Sequence, residues 1–342
     1  MRAFILLALL PVLGALAEDA AAPALTARGK DRSVERLVEI RGLADAGDGA
    51  SVRALAAVYA LLQDDPGFSE TERVAVLQAL AVAREPAAGP LACRALGDAS
   101  RKVRASALQV IRAQDHAQAA PALLDLMSLA GTDPKYAEED LALAQRASDL
   151  LEALTNHAEH YEALSSRPEQ QVAVARWRGW WQSHQNQSRL DWQRQGFEEA
   201  GVKVALPLDA AGVPALIEAL ADAHPVWVRG NAQELLSALA TPPVPDKKDG
   251  RISQPACVAL AKGLSHAEEK VQARASLALY RVLAAGAHPD LPERKDRFDA
   301  LGSYLSGVAS SDAGDATRTA RLAAEFVRDM KVWWAAHGAS AP

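Results

Sequence analysis

One pattern restricts the fold of this chain more than any other. Short apolar stripes at helical spacing, broken by a tight turn, return several times along it. The stretch GPLACRALGDASRKVRASALQVIRAQ, from Gly89, carries it most clearly. Leu91, Ala95 and Leu96 make one stripe. Gly97 and Asp98 then stop the helix, Ser100 caps the next, and Val103, Ala107, Leu108 and Ile111 make a second stripe. Residues three and four apart share a helix face, so each stripe predicts one buried side. A Gly-Asp stop followed by a Ser cap predicts two helices joined as an αα-hairpin. One such hairpin cannot bury both faces by itself; neighbours stacked against it can.

The pattern recurs in VPALIEALADAHPVWVRGNAQELLSAL, from Val213, with Leu216 and Leu220 before Asp222. Pro225 is expected at the first helical position, followed by Val228, Arg229, Ala232 and Leu235. PACVALAKGLSHAEEKVQARASLALYRVL, from Pro255, repeats it with Leu260, Leu264, Val271, Ala275 and Leu279. A weaker copy, IRGLADAGDGASVRALAAVYALL, contains Leu43, Asp45, Val52 and Arg53. From about Ser33 onward alanine and leucine dominate and β-branched runs are scarce, so an all-α chain is predicted. A period of roughly forty residues points to an α-solenoid of helical hairpins.

These hairpins resemble the HEAT-repeat family, in the bacterial form described as HEAT-like or PBS-lyase-like repeats. The resemblance rests on Leu96, Asp98, Val103, Arg104 and Ala107, and on Leu220, Asp222, Val228, Arg229 and Ala232. It implies that Asp98, Arg104, Asp222 and Arg229 form a structural ladder between neighbouring repeats. The third copy departs from the family, with His266 in place of the Asp and Gln272 in place of the Arg.

Tryptophan is the second informative feature. Aromatic residues are 5% of the chain, yet Trp177, Trp180 and Trp181 crowd into ARWRGWWQSHQ. Aligned with VRDMKVWWAAHG, Met330 matches Trp177, Trp333 and Trp334 match Trp180 and Trp181, and His337 matches His184. Five of the seven tryptophans lie in these two stretches, which predicts a duplicated architectural unit. Each Trp-rich helix is expected to close one block of repeats, a feature similar to the Trp-x-x-Trp-Trp helix of bacterial HEAT-like proteins. The rival expectation is a ligand platform: Trp177, Trp180 and Trp181 stacking on a cell-envelope glycan, with Arg178 donating hydrogen bonds. Trp227 is expected to be a packing residue.

MRAFILLALLPVLGALAEDA opens with Arg2, an apolar run to Leu16 and a small-x-small site, which predicts a signal peptide over 1–17 cleaved after Ala17. Residues 18–31 are expected to be a flexible lead-in, 32–200 a first HEAT-like block and 201–342 a second, each ending in its Trp-rich helix. Secretion or a periplasmic location follows, with no membrane insertion after cleavage. The net charge of -6 has no basic block, which argues against nucleic acid. Cys93 and Cys257 are expected as two buried small side chains rather than a disulfide framework. Thr241–Arg251 and the stretch around Pro134 are expected as long connections.

Signals for catalysis are weak. In NHAEHYE, His157 and His160 sit three apart, but no compelling third ligand lies nearby. The HEAT-like enzyme deoxyhypusine hydroxylase binds iron through His-Glu dipeptides, and this chain has none. HEAT-like chromophore lyases act on cytoplasmic pigment proteins, which conflicts with export. Nucleophile elbow, phosphate loop and zinc spacing are all missing from the sequence. The expectation is an exported, non-catalytic scaffold that binds another protein through its second helices, without cofactor or metal. A glycan-binding module and an accessory enzyme are the alternatives.

Overall fold

Segments rich in alanine and leucine favour helix, and the computed structural model bears this out. It describes residues 32–46, 49–62, 69–83, 88–130, 137–205, 211–238, 254–285, 291, 300–301, 304–305 and 313–338. Among them lie fourteen α-helices and no strand. The expected signal and lead-in, Thr241–Arg251 and the turn at Pro134 fall outside these residues. The chain divides into two compact units, Met1–Leu154 with Ala158–Gln185, and Thr155–His157 with Asn186–Pro342.

The first unit contains α1 (Ser33–Ala46), α2 (Gly49–Leu62), α3 (Glu70–Ala83), α4 (Ala88–Ala95), α5 (Arg101–Gln114), α6 (Ala120–Leu129), most of α7 (Ala137–Thr155) and α8 (Arg167–His184). They pack in two rows. Helices α1, α3 and α5 lie side by side, α2, α4 and α6 form the other row, and α8 lies against α6. The hairpin read at Gly89 is α4 and α5. Its stripes form the core: Leu91, Ala95, Leu96, Val103, Ala107, Leu108 and Ile111 are all buried. Ser100 accepts from the Val103 amide and Asp115 closes α5 in the left-handed conformation. The weaker copy falls out of phase. Helix α1 stacks on α3, in the row of second helices, whereas α2, which carries Val52 and Arg53, stacks with the first helix α4. Asp45 and Arg53 are both exposed.

The second unit holds α9 (Arg189–Glu199), α10 (Val213–Glu218), α11 (Val226–Ala238), α12 (Gln254–Lys262), α13 (Glu269–Ala285) and α14 (Ala313–His337). First helices α10 and α12 pack on one another, and α9, α11, α13 and α14 follow in a second row. Leu216, Leu220, Val228, Ala232, Leu260, Leu264, Val271 and Leu279 share one apolar core there. Pro225 stands one place ahead of its expected position: its carbonyl accepts the first helical bond, from Arg229. Two glycines are required by geometry. Gly201, at φ 78°, lets Val202 return a 2.8 Å bond to Phe197 and end α9. Gly196 lies so close to Asn156 that a side chain there would meet that residue's backbone.

Cys93 is half-buried on α4 and Cys257 is buried on α12, and both are free thiols. Burial pushes the Cys257 thiol up to about 11. None of the described helices is long and apolar enough to cross a membrane.

Candidate functional site

The turn side of each unit carries the charged residues predicted from the repeats, although their pairing differs from a simple Asp–Arg contact. Arg104 donates to the backbone carbonyls of Asp98 at 2.7 Å and Ala99 at 3.2 Å, which ties the turn to the helix that follows. Its other nitrogen reaches Asp140, in the first turn of α7, at 3.1 Å. The Asp98 carboxylate pairs with Arg73 on the preceding second helix, accepting a 3.3 Å bond from its Nη2, and accepts from the Ser100 amide at 2.8 Å. Arg101 adds a 2.7 Å bond to Asp140. One helix earlier, Arg36 of α1 pairs with Glu72 of α3, both fully buried. Cations of one second helix therefore hold acids of the next, from α1 to α7.

The second unit runs the ladder with a different set of atoms. Arg229 donates to the carbonyl of His224 at 2.7 Å, while its guanidinium stands 3.8 Å from the Asp222 carboxylate. Asp222 is instead held from the next second helix, by Lys270 at 2.7 Å and Arg274 at 2.8 Å. Those two hydrogen bonds pull its carboxyl down to about 2. At the departing third copy, the Gln272 amide donates to the His266 carbonyl at 2.6 Å and accepts from Lys331 of α14 at 2.9 Å. An amide thus replaces the guanidinium as the turn clamp, and the ladder continues without an Asp.

Sequence reasoning missed Arg36, Arg73, Asp140, Lys270 and Arg274. In α3 the order is Arg73-Val74 rather than Val-Arg. In α13 the cation has moved two positions beyond Gln272.

The Trp-rich helices match one another side chain by side chain. Trp177 and its counterpart Met330 are 0% and 1% exposed, and Trp180 and Trp333 are 9% and 5% exposed. Trp181 and Trp334 are half-buried. His184 stacks on Trp180 with ring centroids 4.4 Å apart, and His337 stacks on Trp333 at 4.9 Å. Each imidazole Nδ1 also lies against the carbonyl of the same tryptophan, at 2.7 Å and 3.0 Å. An imidazole four residues on thus closes the last helical turn and covers the indole face in one contact. Trp177 meets Trp180 edge to face at 5.8 Å. The two helices differ in their neighbours, since α8 lies on the first-helix row and α14 on the second-helix row.

This geometry does not assemble the glycan platform. Trp177 and Trp180 are buried, Trp181 is half-buried, and none of the seven tryptophans belongs to the exposed class. Arg178 points elsewhere, reaching Asp125 and Ser128 of α6, each at 3.1 Å. Trp227 is half-buried against the second core, as a packing residue would be.

NHAEHYE forms a structured connector. Asn156 and His160 both take the left-handed conformation. Asn156 is buried, its amide donating to Gln193 at 2.9 Å, and His157 lies 3.3 Å from Glu199. His160 is exposed. Among the described residues no group of three His, Cys, Asp or Glu side chains is arranged to hold a metal.

Two concavities mark the first unit. A cleft of about 570 Å³ lies along the ladder, with Asp98, Arg101, Arg104 and Asp140 in its walls. Arg101 and Arg104 are paired with Asp140 there, and Asp98 with Arg73. A smaller groove, about 280 Å³, runs along the outer faces of the second helices α5 and α7. No protein-family model matches the chain, and no curated protein matches it in sequence.

Proposed function

We propose that this chain is an exported, non-catalytic scaffold, an α-solenoid of HEAT-like hairpins that holds another protein on its second helices. One observation carries this: the turn clamp recurs in both units, from Arg104 to Asp98, from Arg229 to His224 and, with an amide instead of a guanidinium, from Gln272 to His266. A repeated clamp sets a repeated angle between helices, and repeats in register would give each unit a row of second helices. Such a row offers many shallow contacts over an extended surface, which suits a protein partner.

Export follows from the leader-like first seventeen residues. The experiment is chemical crosslinking of the tagged protein in the intact cell envelope, followed by purification. A discrete partner is expected, and Gln109→Glu on α5 together with Glu234→Arg on α11 should abolish its capture. A partner captured equally well by both proteins would refute the assignment to second helices.

A further inference from the structure

The groove between α5 and α7 has a chemistry that selects its occupant. Ala105 and Leu108 from one helix and Leu150 and Ala153 from the other make its apolar floor. Leu108 and Leu150 are 6% and 7% exposed, so only their edges face the groove. Arg112 on α5 and Arg146 on α7 stand on opposite walls, both exposed. Neither guanidinium has an acidic partner among the described residues, whereas Arg73, Arg101 and Arg104 at the ladder are paired. The acid on the rim, Asp149, accepts from Gln145 at 2.9 Å. The next carboxyl along α7, Glu152, is pushed up to about 7 by burial and then by Asp149 and Glu162, so about half of it is protonated near neutrality. A chain of net charge -6 thus presents two uncommitted cations on either side of an apolar strip.

We infer that this groove binds an acidic segment of a partner protein, one that sets carboxylates against Arg112 and Arg146 and an aliphatic side chain on the floor between them. The inference rests on the scaffold reading and names the chemistry of the partner. Arginine favours such a role because its planar fork accepts a carboxylate in two parallel bonds. From Ala105 to Arg112 the floor runs about 10 Å at 1.5 Å per residue, room for about two turns of a docked helix. The global negative charge repels an acidic peptide, so binding of one requires this local field.

The test uses the full chain and fluorescence anisotropy with two labelled peptides, one of glutamate, leucine and alanine, the other with lysine in place of each glutamate. The acidic peptide should bind at least tenfold more tightly, and the preference should shrink as salt is raised. R112E/R146E should reverse the preference in favour of the lysine peptide. R112Q/R146Q should abolish the preference without reversing it, and circular dichroism of both variants should match the wild-type chain. Equal binding of both peptides by the wild-type chain, or an unchanged preference in R112E/R146E, would overturn the inference. The scaffold reading fails on separate ground, the lack of any crosslinked envelope partner, which a peptide titration does not address.

Discussion

Replacing Gly196 by alanine would put a methyl group into the backbone of Asn156. A Cβ at that position falls 2.7 Å from the Asn156 carbonyl carbon and 2.8 Å from its side-chain amide nitrogen. The carbonyl cannot swing away, because Asn156 is buried, holds a left-handed backbone and donates to Gln193 at 2.9 Å. Overpacking against such a neighbour costs about 1–3 kcal/mol. Breaking the buried amide bond adds about 1–3 kcal/mol. Alanine's better helix propensity returns about 1 kcal/mol. The net expectation is a loss of about 3 kcal/mol in urea denaturation followed by circular dichroism. Gly179 provides the control, since it is also interior to a helix but has nothing within 4 Å of its virtual Cβ. Gly179→Ala should stabilise by about 0.5–1 kcal/mol. If both substitutions shifted stability in the same direction, the close approach of Asn156 to α9 would be refuted.

Three further outcomes follow from burial and charge. Trp180→Ala should cost about 3–5 kcal/mol in thermal melts, and Trp181→Ala, half-buried beside it, about 1 kcal/mol. Asp222 has its carboxyl lowered from 3.8 to about 2, so its ladder bonds stabilise the fold above pH 4 and are lost as pH falls towards 2. Because this carboxylate is 41% exposed, Asp222→Asn should cost only about 1 kcal/mol at pH 7 and nothing measurable at pH 2. Glu152 has the opposite sign: its carboxyl is raised from 4.5 to about 7, so the folded state is increasingly penalised as pH climbs through that window. Glu152→Gln should therefore stabilise by about 2 kcal/mol at pH 8 and leave stability at pH 4 unchanged, measured by denaturation at both values.

The helices and their buried faces were legible in the sequence because they depend on spacing alone. Leu91 to Ile111 in α4 and α5, and Leu260 to Leu279 in α12 and α13, fall where three- and four-residue periodicity places them. The matching of the two Trp-rich helices was legible too, down to equal burial of Trp177 and Met330. The ladder was legible only in part. Which cation meets which acid depends on how neighbouring helices pack, so Arg73 satisfies Asp98 from a reversed Arg-Val order and Arg274 reaches Asp222 from two positions past Gln272. The phase of the first hairpin was misread for the same reason: Val52 and Arg53 match the template, but row membership is a tertiary property. The connector at Asn156 left no periodic trace at all. Its two left-handed residues are an asparagine and a histidine rather than glycines, and the glycine that accommodates it lies forty residues downstream on α9.

Partner capture by the second helices is tested most directly by a photo-crosslinking residue placed in living cells. Gln109, on the groove of α5, is one site; Asp125, exposed on the first-helix row of the same unit, is the other. The account predicts a discrete crosslinked protein from position 109 and none from position 125. Crosslinks of equal yield to the same protein from both positions, or from 125 alone, would contradict it.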